Sequence, residues 1–121
     1  MADLAPQTAT EVAQFLASLA RQLAELTKEI GTADRQAVHA RERYVQYYAQ
    51  TWRKLNGAVE NRKQECLALT GPARLTAEEA DARVRDLRRQ IDAVKVRIDV
   101  GRSYGAAVRA EIELVKSPFT D

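Results

Sequence analysis

From Ala80 to Val115 the apolar residues advance by three or four positions at every step. They run Ala80, Val84, Leu87, Ile91, Val94, Ile98, Gly101, Gly105, Val108, Ile112 and Val115. A sustained period near 3.5 places them on one narrow stripe of an α-helix, the pattern of a helix–helix seam rather than of a strand. The first half of the chain repeats the rule with Val12, Leu16, Leu19, Leu23, Leu26 and Ile30, then resumes after Gly31 with Val38, Val45, Tyr48, Trp52 and Leu55. Only 5 Gly and 3 Pro occur among 121 residues. That scarcity favours helix and argues against a collagen, linker or all-β chain.

The punctuation predicts three helices in one domain over residues 10–116, with tails over 1–9 and 117–121. Thr10 offers a cap for a helix over 10–56. Gly31 costs that helix about 1 kcal/mol relative to alanine, and Thr32 or Asp34 can cap a fresh start, so a bend or break is expected there. Asn56-Gly57 closes the helix, since both residues tolerate the left-handed conformation. A short connecting helix over 58–70 follows, with Val59, Cys66 and Leu69 on one side and Gly71-Pro72 as its stop. Thr76-Ala77-Glu78-Glu79 reads as a capping box opening the last helix, with Leu75 stapled to Ala80, and Pro118 ends it. The fold class is therefore all-α: a long antiparallel helical hairpin with a short connecting helix and a coiled-coil-like seam. Setting residue 56 beside residue 76 brings Gly31 near the level of Gly101. Two long helices make a thin core. Val84, Leu87, Ile91, Val94, Ile98, Gly101 and Gly105 are accordingly expected to finish their burial against another copy or a partner, making a homo-oligomer.

Much chemistry is excluded. No apolar run approaches the 18 residues a membrane span needs. Residues 1–20 carry Asp3 and Glu11 with no basic side chain, against a secretory signal. The single cysteine, Cys66, allows neither an internal disulfide nor a cysteine zinc site, and a buried thiol is its expected state. The single histidine, His39, has no second histidine or cysteine at ligand spacing. Glu78 and Glu79 are explained by a helix start. No nucleophile, base and orienting acid can be assembled. The expectation is a cytoplasmic protein with no enzyme activity and no cofactor or metal.

The 19 cations and 17 carboxylates leave a net charge of +2, but they are unevenly spread. Residues 35–63 hold seven cations against Glu42 and Glu60, a net of +5, and residues 83–97 hold six against Asp86 and Asp92, a net of +4. Residues 1–34 carry −3. In the register above, the two basic segments merge into a band able to follow a phosphate backbone. Its candidate contacts are Arg41, Arg43, Arg53, Lys54, Arg85, Arg88 and Arg89. Tyr48, Trp52 and Leu55 read as core, whereas Tyr44 and Tyr47 are half exposed, and Tyr47 is the candidate platform for a stacked base. A solvated face laced with i,i+4 pairs would look the same. Gly101-Arg102-Ser103-Tyr104-Gly105 sets two glycines four apart on one face, which fits a close helix crossing. It lacks the spacing and the preceding strand of a phosphate loop.

The segment GAVENRKQE (Gly57–Glu65), followed by a helix ending RIDVGRSYGAAVRAE (Arg97–Glu111), resembles small helical early- or recombination-region proteins of actinobacteriophages. The likeness extends over residues 20–115, and Ala58-Val59-Glu60-Asn61-Arg62 matches the pattern that opens their second helix. It implies a protein of the host cell cytoplasm and supplies no catalytic residues. The functional expectation is a non-enzymatic, oligomeric accessory factor for phage DNA replication or recombination that binds nucleic acid through the basic band. The alternative is a protein-only adaptor or inhibitor, or an assembly chaperone, that grips a host, defence or phage protein through its heptad face. A secreted helical-hairpin effector would need a Trp-x-Gly turn, and Trp52-Arg53-Lys54 is not one.

Overall fold

The structure, a computed structural model, describes residues 8–116. It is an all-α hairpin of two helices, α1 (Ala9–Lys54) and α2 (Val59–Lys116), joined across residues 55–58. The expected tails and the stop at Pro118 lie outside the described residues, save for Thr8 and Ala9. Thr8, rather than Thr10, caps α1: the Glu11 amide donates to Thr8 Oγ1 at 3.1 Å and the Val12 amide to the Thr8 carbonyl at 2.9 Å. At the other end the Leu55 amide closes a tight turn on the Trp52 carbonyl. Gly57 takes φ of 109°, where a Cβ would be strained, and the Ala58 carbonyl accepts the first bond of α2 from Arg62 N.

Three expectations of detail are corrected. First, α1 does not break at Gly31. Thr32 bonds back to the Lys28 carbonyl at 3.4 Å instead of capping a new helix, and buried positions continue beyond it at Ala33, Ala37 and Ala40.

Second, the short connecting helix is not a separate element, because α2 runs through Gly71 and Pro72. Pro72 is exposed, so the Ala68 carbonyl it leaves without a helical donor can turn to water. The interruption costs about 3 kcal/mol, which seam burial on both sides offsets. Cys66 and Thr70 are almost fully buried before it and Ala77 after it, whereas Val59 and Leu69 are exposed. Thr76, mid-helix, bonds back to the Pro72 carbonyl at 3.0 Å, and Leu75 is half exposed, so no capping box or staple forms.

Third, the register differs. Because α2 starts at Val59, Arg41 faces Asp81 and Trp52 faces Arg62, and Gly101 abuts Leu16.

The chain divides into two units. The turn unit is Lys28–Arg88, and the terminal unit comprises Met1–Thr27 with Arg89–Asp121. In the turn unit the buried residues are mostly small: Ala33, Ala37, Ala40 and Thr51 from α1, and Cys66, Thr70, Ala77, Val84 and Leu87 from α2. Thr70 satisfies its hydroxyl on the Cys66 carbonyl at 2.7 Å, and the Cys66 thiol points at the Tyr48 carbonyl at 3.6 Å. In the terminal unit Val12, Leu19 and Leu26 are buried with Val94, Gly101, Gly105 and Val108. The two glycines admit close contact there. A Cβ on Gly101 would lie 2.9 Å from Leu16 Cδ2, and one on Gly105 3.0 Å from Val12 Cγ1.

Candidate nucleic-acid interface and helix groove

On α1 the positions Arg43, Tyr47, Gln50 and Lys54 are spaced four, three and four apart, so they form one column. Gln46, Gln50 and Arg53 form its neighbour. At 1.5 Å per residue, Arg43 and Lys54 stand about 16 Å apart along the helix axis. Arg43, Gln46, Tyr47 and Gln50 line an open groove of about 400 Å³ whose other wall is Ala40, Ala73 and Thr76. Tyr47 is 45% exposed there. None of Arg43, Arg53 and Lys54 forms an ion pair among the described residues. The groove thus presents one open aromatic ring, amides able to donate and accept, and one unpaired cation, Arg43, while Lys54 follows on the same column and Arg53 lines a separate recess with Tyr48, Ala49 and Trp52. These are the groups that stack a base and hold a phosphate.

None of Arg41, Arg85, Arg88 and Arg89 is among the residues lining this groove. Arg41 lies on the other flank of α1, paired with Asp81 at 3.6 Å. Arg83 pairs with Glu29 at 3.6 Å, because the actual register sets it beside residue 29 rather than beside the basic stretch that follows residue 40. Arg85 and Arg88 are exposed on α2 of the turn unit, and Arg89 belongs to the terminal unit.

The other aromatics near the turn are structural. Tyr44 meets Tyr48 edge to face at 6.2 Å, and Tyr48 stacks on Trp52 at 6.5 Å. All three are half-buried. Partial burial, then the Cys66 thiol and the Tyr44 phenol, raise the Tyr48 pKa above its ordinary 10.0. Arg62 closes this column and was not singled out from sequence.

The seam expected to meet a partner is placed inside the chain. Val84 and Leu87 are buried in the turn unit and Val94, Gly101 and Gly105 in the terminal unit, with Ile91 and Ile98 half-buried. A second groove, which sequence reading missed, runs beside it in the terminal unit. It holds about 770 Å³, with Leu16, Ala17, Ala20, Leu23, Ala24 and Thr27 from α1 and Ile98 and Arg102 from α2. Ala17 and Ala24 are a heptad apart, as are Ala20 and Thr27, and that repeat is the signal that could have revealed it. Among the described residues, no group of three or more His, Cys, Asp or Glu side chains is arranged to hold a metal, and no helix is long and apolar enough to cross a membrane.

No protein-family model matches the chain, and neither curated proteins nor solved structures return a match.

Proposed function

We propose that the chain is a non-enzymatic helical interaction protein that binds single-stranded nucleic acid along the Arg43–Tyr47–Gln50–Lys54 column of its turn unit. The observation that carries this reading is the exposed Tyr47 ring set in one groove with Arg43, Gln46 and Gln50. A flat ring accepts any base and the cations accept phosphate, so binding is sequence-tolerant and salt-sensitive. The resemblance to actinobacteriophage proteins supplies the setting, an accessory role in DNA replication or recombination in the host cytoplasm. Anisotropy of labelled single-stranded and duplex DNA across a salt series tests it. Binding that prefers the single strand and falls steeply with salt is expected, and no binding to either form at low salt overturns it.

The alanine-floored groove of the terminal unit favours a second reading, a protein adaptor. Small side chains allow a partner helix to approach closely, and Leu16, Leu23 and Ile98 supply apolar walls. Under that reading, truncating Tyr47 leaves function intact, while filling the groove with Ala20→Trp abolishes it.

A further inference from the structure

In the terminal unit α2 carries a second heptad row on the face turned away from its buried seam. Ala93, Val96, Val100, Ala107, Ala110 and Leu114 follow one another at steps of three, four or seven, with Ser103 filling the one seven-residue interval. None is charged, and all are exposed. Val96, Val100 and Leu114 are 61%, 63% and 67% exposed. Scattered exposed valines need no explanation, but an uncharged row kept in heptad step over three heptads has the spacing that packs against another helix.

The charges beside the row indicate what covers it. One edge carries Asp92, Asp99, Ala106 and Glu113, and the other carries Arg97, Tyr104 and Glu111. In an antiparallel pair of identical helices like edges meet, which would set Asp92 against Glu113 on the acidic edge and cancel the gain from Arg97 opposite Glu111 on the other. In a parallel pair opposite edges meet, each residue of the first edge facing the one five positions later on the other chain. Asp92 then faces Arg97 of the partner subunit, Asp99 faces Tyr104 of the partner subunit, whose phenol can donate to it, and Ala106 faces Glu111 of the partner subunit. No like charges oppose, and each favourable pair occurs twice by symmetry. Arg89, the next position of the row toward the N-terminus, would meet its own copy and so bounds the contact.

We infer that this face pairs in parallel with the same face of a second copy of the chain, forming a two-fold dimer through the backs of the α2 helices. The inference stands apart from the nucleic-acid reading, and its test involves no ligand.

Sedimentation of the full chain is expected to give twice its 13.5 kDa mass. The double variant Val96→Glu/Val100→Glu should sediment as one chain with unchanged helical circular dichroism, because both side chains are exposed in the hairpin. Asp92→Arg and Arg97→Asp should each weaken the dimer by about tenfold, since each sets two like-charge pairs across the contact. Mixing those two variants in equal amounts should restore it as a heterodimer. Ala110→Cys should cross-link under mild oxidation, since this position, away from the middle of the row, meets itself in a parallel pair but lies near residue 97 in an antiparallel one centred on the row, and Cys66 is fully buried and does not compete. A wild type that sediments as one chain, a dimer that survives the double glutamate variant, or a charge-swapped mixture that fails to recover would overturn the inference.

Discussion

Arg62 ends α1 from the far side of the turn: its Nε and Nη2 both donate to the Trp52 carbonyl, at 3.0 and 2.6 Å, while its Cζ lies 4.3 Å from the Trp52 ring centroid. One guanidinium thereby satisfies a terminal carbonyl, opposes the negative end of the helix dipole and covers the indole. A hydrogen bond to a charged donor contributes about 1.5–3 kcal/mol. Arg62→Ala should therefore lower the unfolding free energy by about 2 kcal/mol in urea titrations. Arg62→Lys should recover less than half of that loss, because an ammonium cannot present the planar fork or lie flat on the ring.

The glycines of the terminal unit separate helix propensity from packing. An exposed helical glycine replaced by leucine gains up to about 1 kcal/mol. At Gly101 and Gly105 the added side chain runs into Leu16 and Val12, so Gly101→Leu and Gly105→Leu should each destabilise by about 1–3 kcal/mol. Gly101→Ala should be near neutral, since the flexible end of Leu16 can swing away and the propensity gain offsets the shift. Thermal melts of the three variants check the order.

Tyr48 makes stability depend on alkaline pH. Its folded-state pKa is raised by partial burial, the Cys66 thiol and the Tyr44 phenol, so the unfolded chain releases this proton first. The stabilising contribution is whole below pH 10 and is lost as pH rises from the ordinary tyrosine value through the raised one. Urea midpoints followed from pH 9 to pH 11 should fall more steeply for the wild type than for Tyr48→Phe.

How legible the fold is depends on where the heptad count restarts. The seam of α2 is readable from Ala80 to Val108 because valine, leucine and isoleucine mark it. Its continuation back through Ala77, Ala73, Thr70 and Cys66 is hidden by Gly71-Pro72, which look like a stop in isolation, whereas the packing on either side holds the helix together. In α1 the expected break at Gly31 shifts the phase toward the bulkier Val38 and Val45, which are 50% and 57% exposed. Carrying the count through from Ile30 leads instead to Ala33, Ala37, Ala40 and Tyr44, the first three buried and Tyr44 half-buried. The candidate site suffers from the same slip: Arg43 and Tyr47 are legible as candidates and do share a groove, but the wrong register joins them to Arg85, Arg88 and Arg89. The phase itself is testable by calorimetry. Ala37→Leu should cost about 1–3 kcal/mol through overpacking, while Val38→Gln should fall within about 0.5 kcal/mol of the wild type.

Position on the helix, rather than charge alone, decides which cations hold nucleic acid. Arg43 and Lys54 flank Tyr47 on its own column, and Arg53 extends the adjacent one. Replacing all three with glutamine should weaken single-strand binding and reduce the salt slope by about 0.7 for each phosphate that is no longer neutralised. Helix content should hold, since glutamine is nearly as good a helix former. Arg85, Arg88 and Arg89 carry equal charge but lie off this column, so the matching triple glutamine variant should bind almost as the wild type does, and it controls for net charge. Tyr47→Ala should cost about 1–3 kcal/mol on single strands and leave duplex binding and the salt slope unchanged, because stacking releases no counterions. Equal losses from the two triple variants would mean that overall charge, not this groove, governs binding.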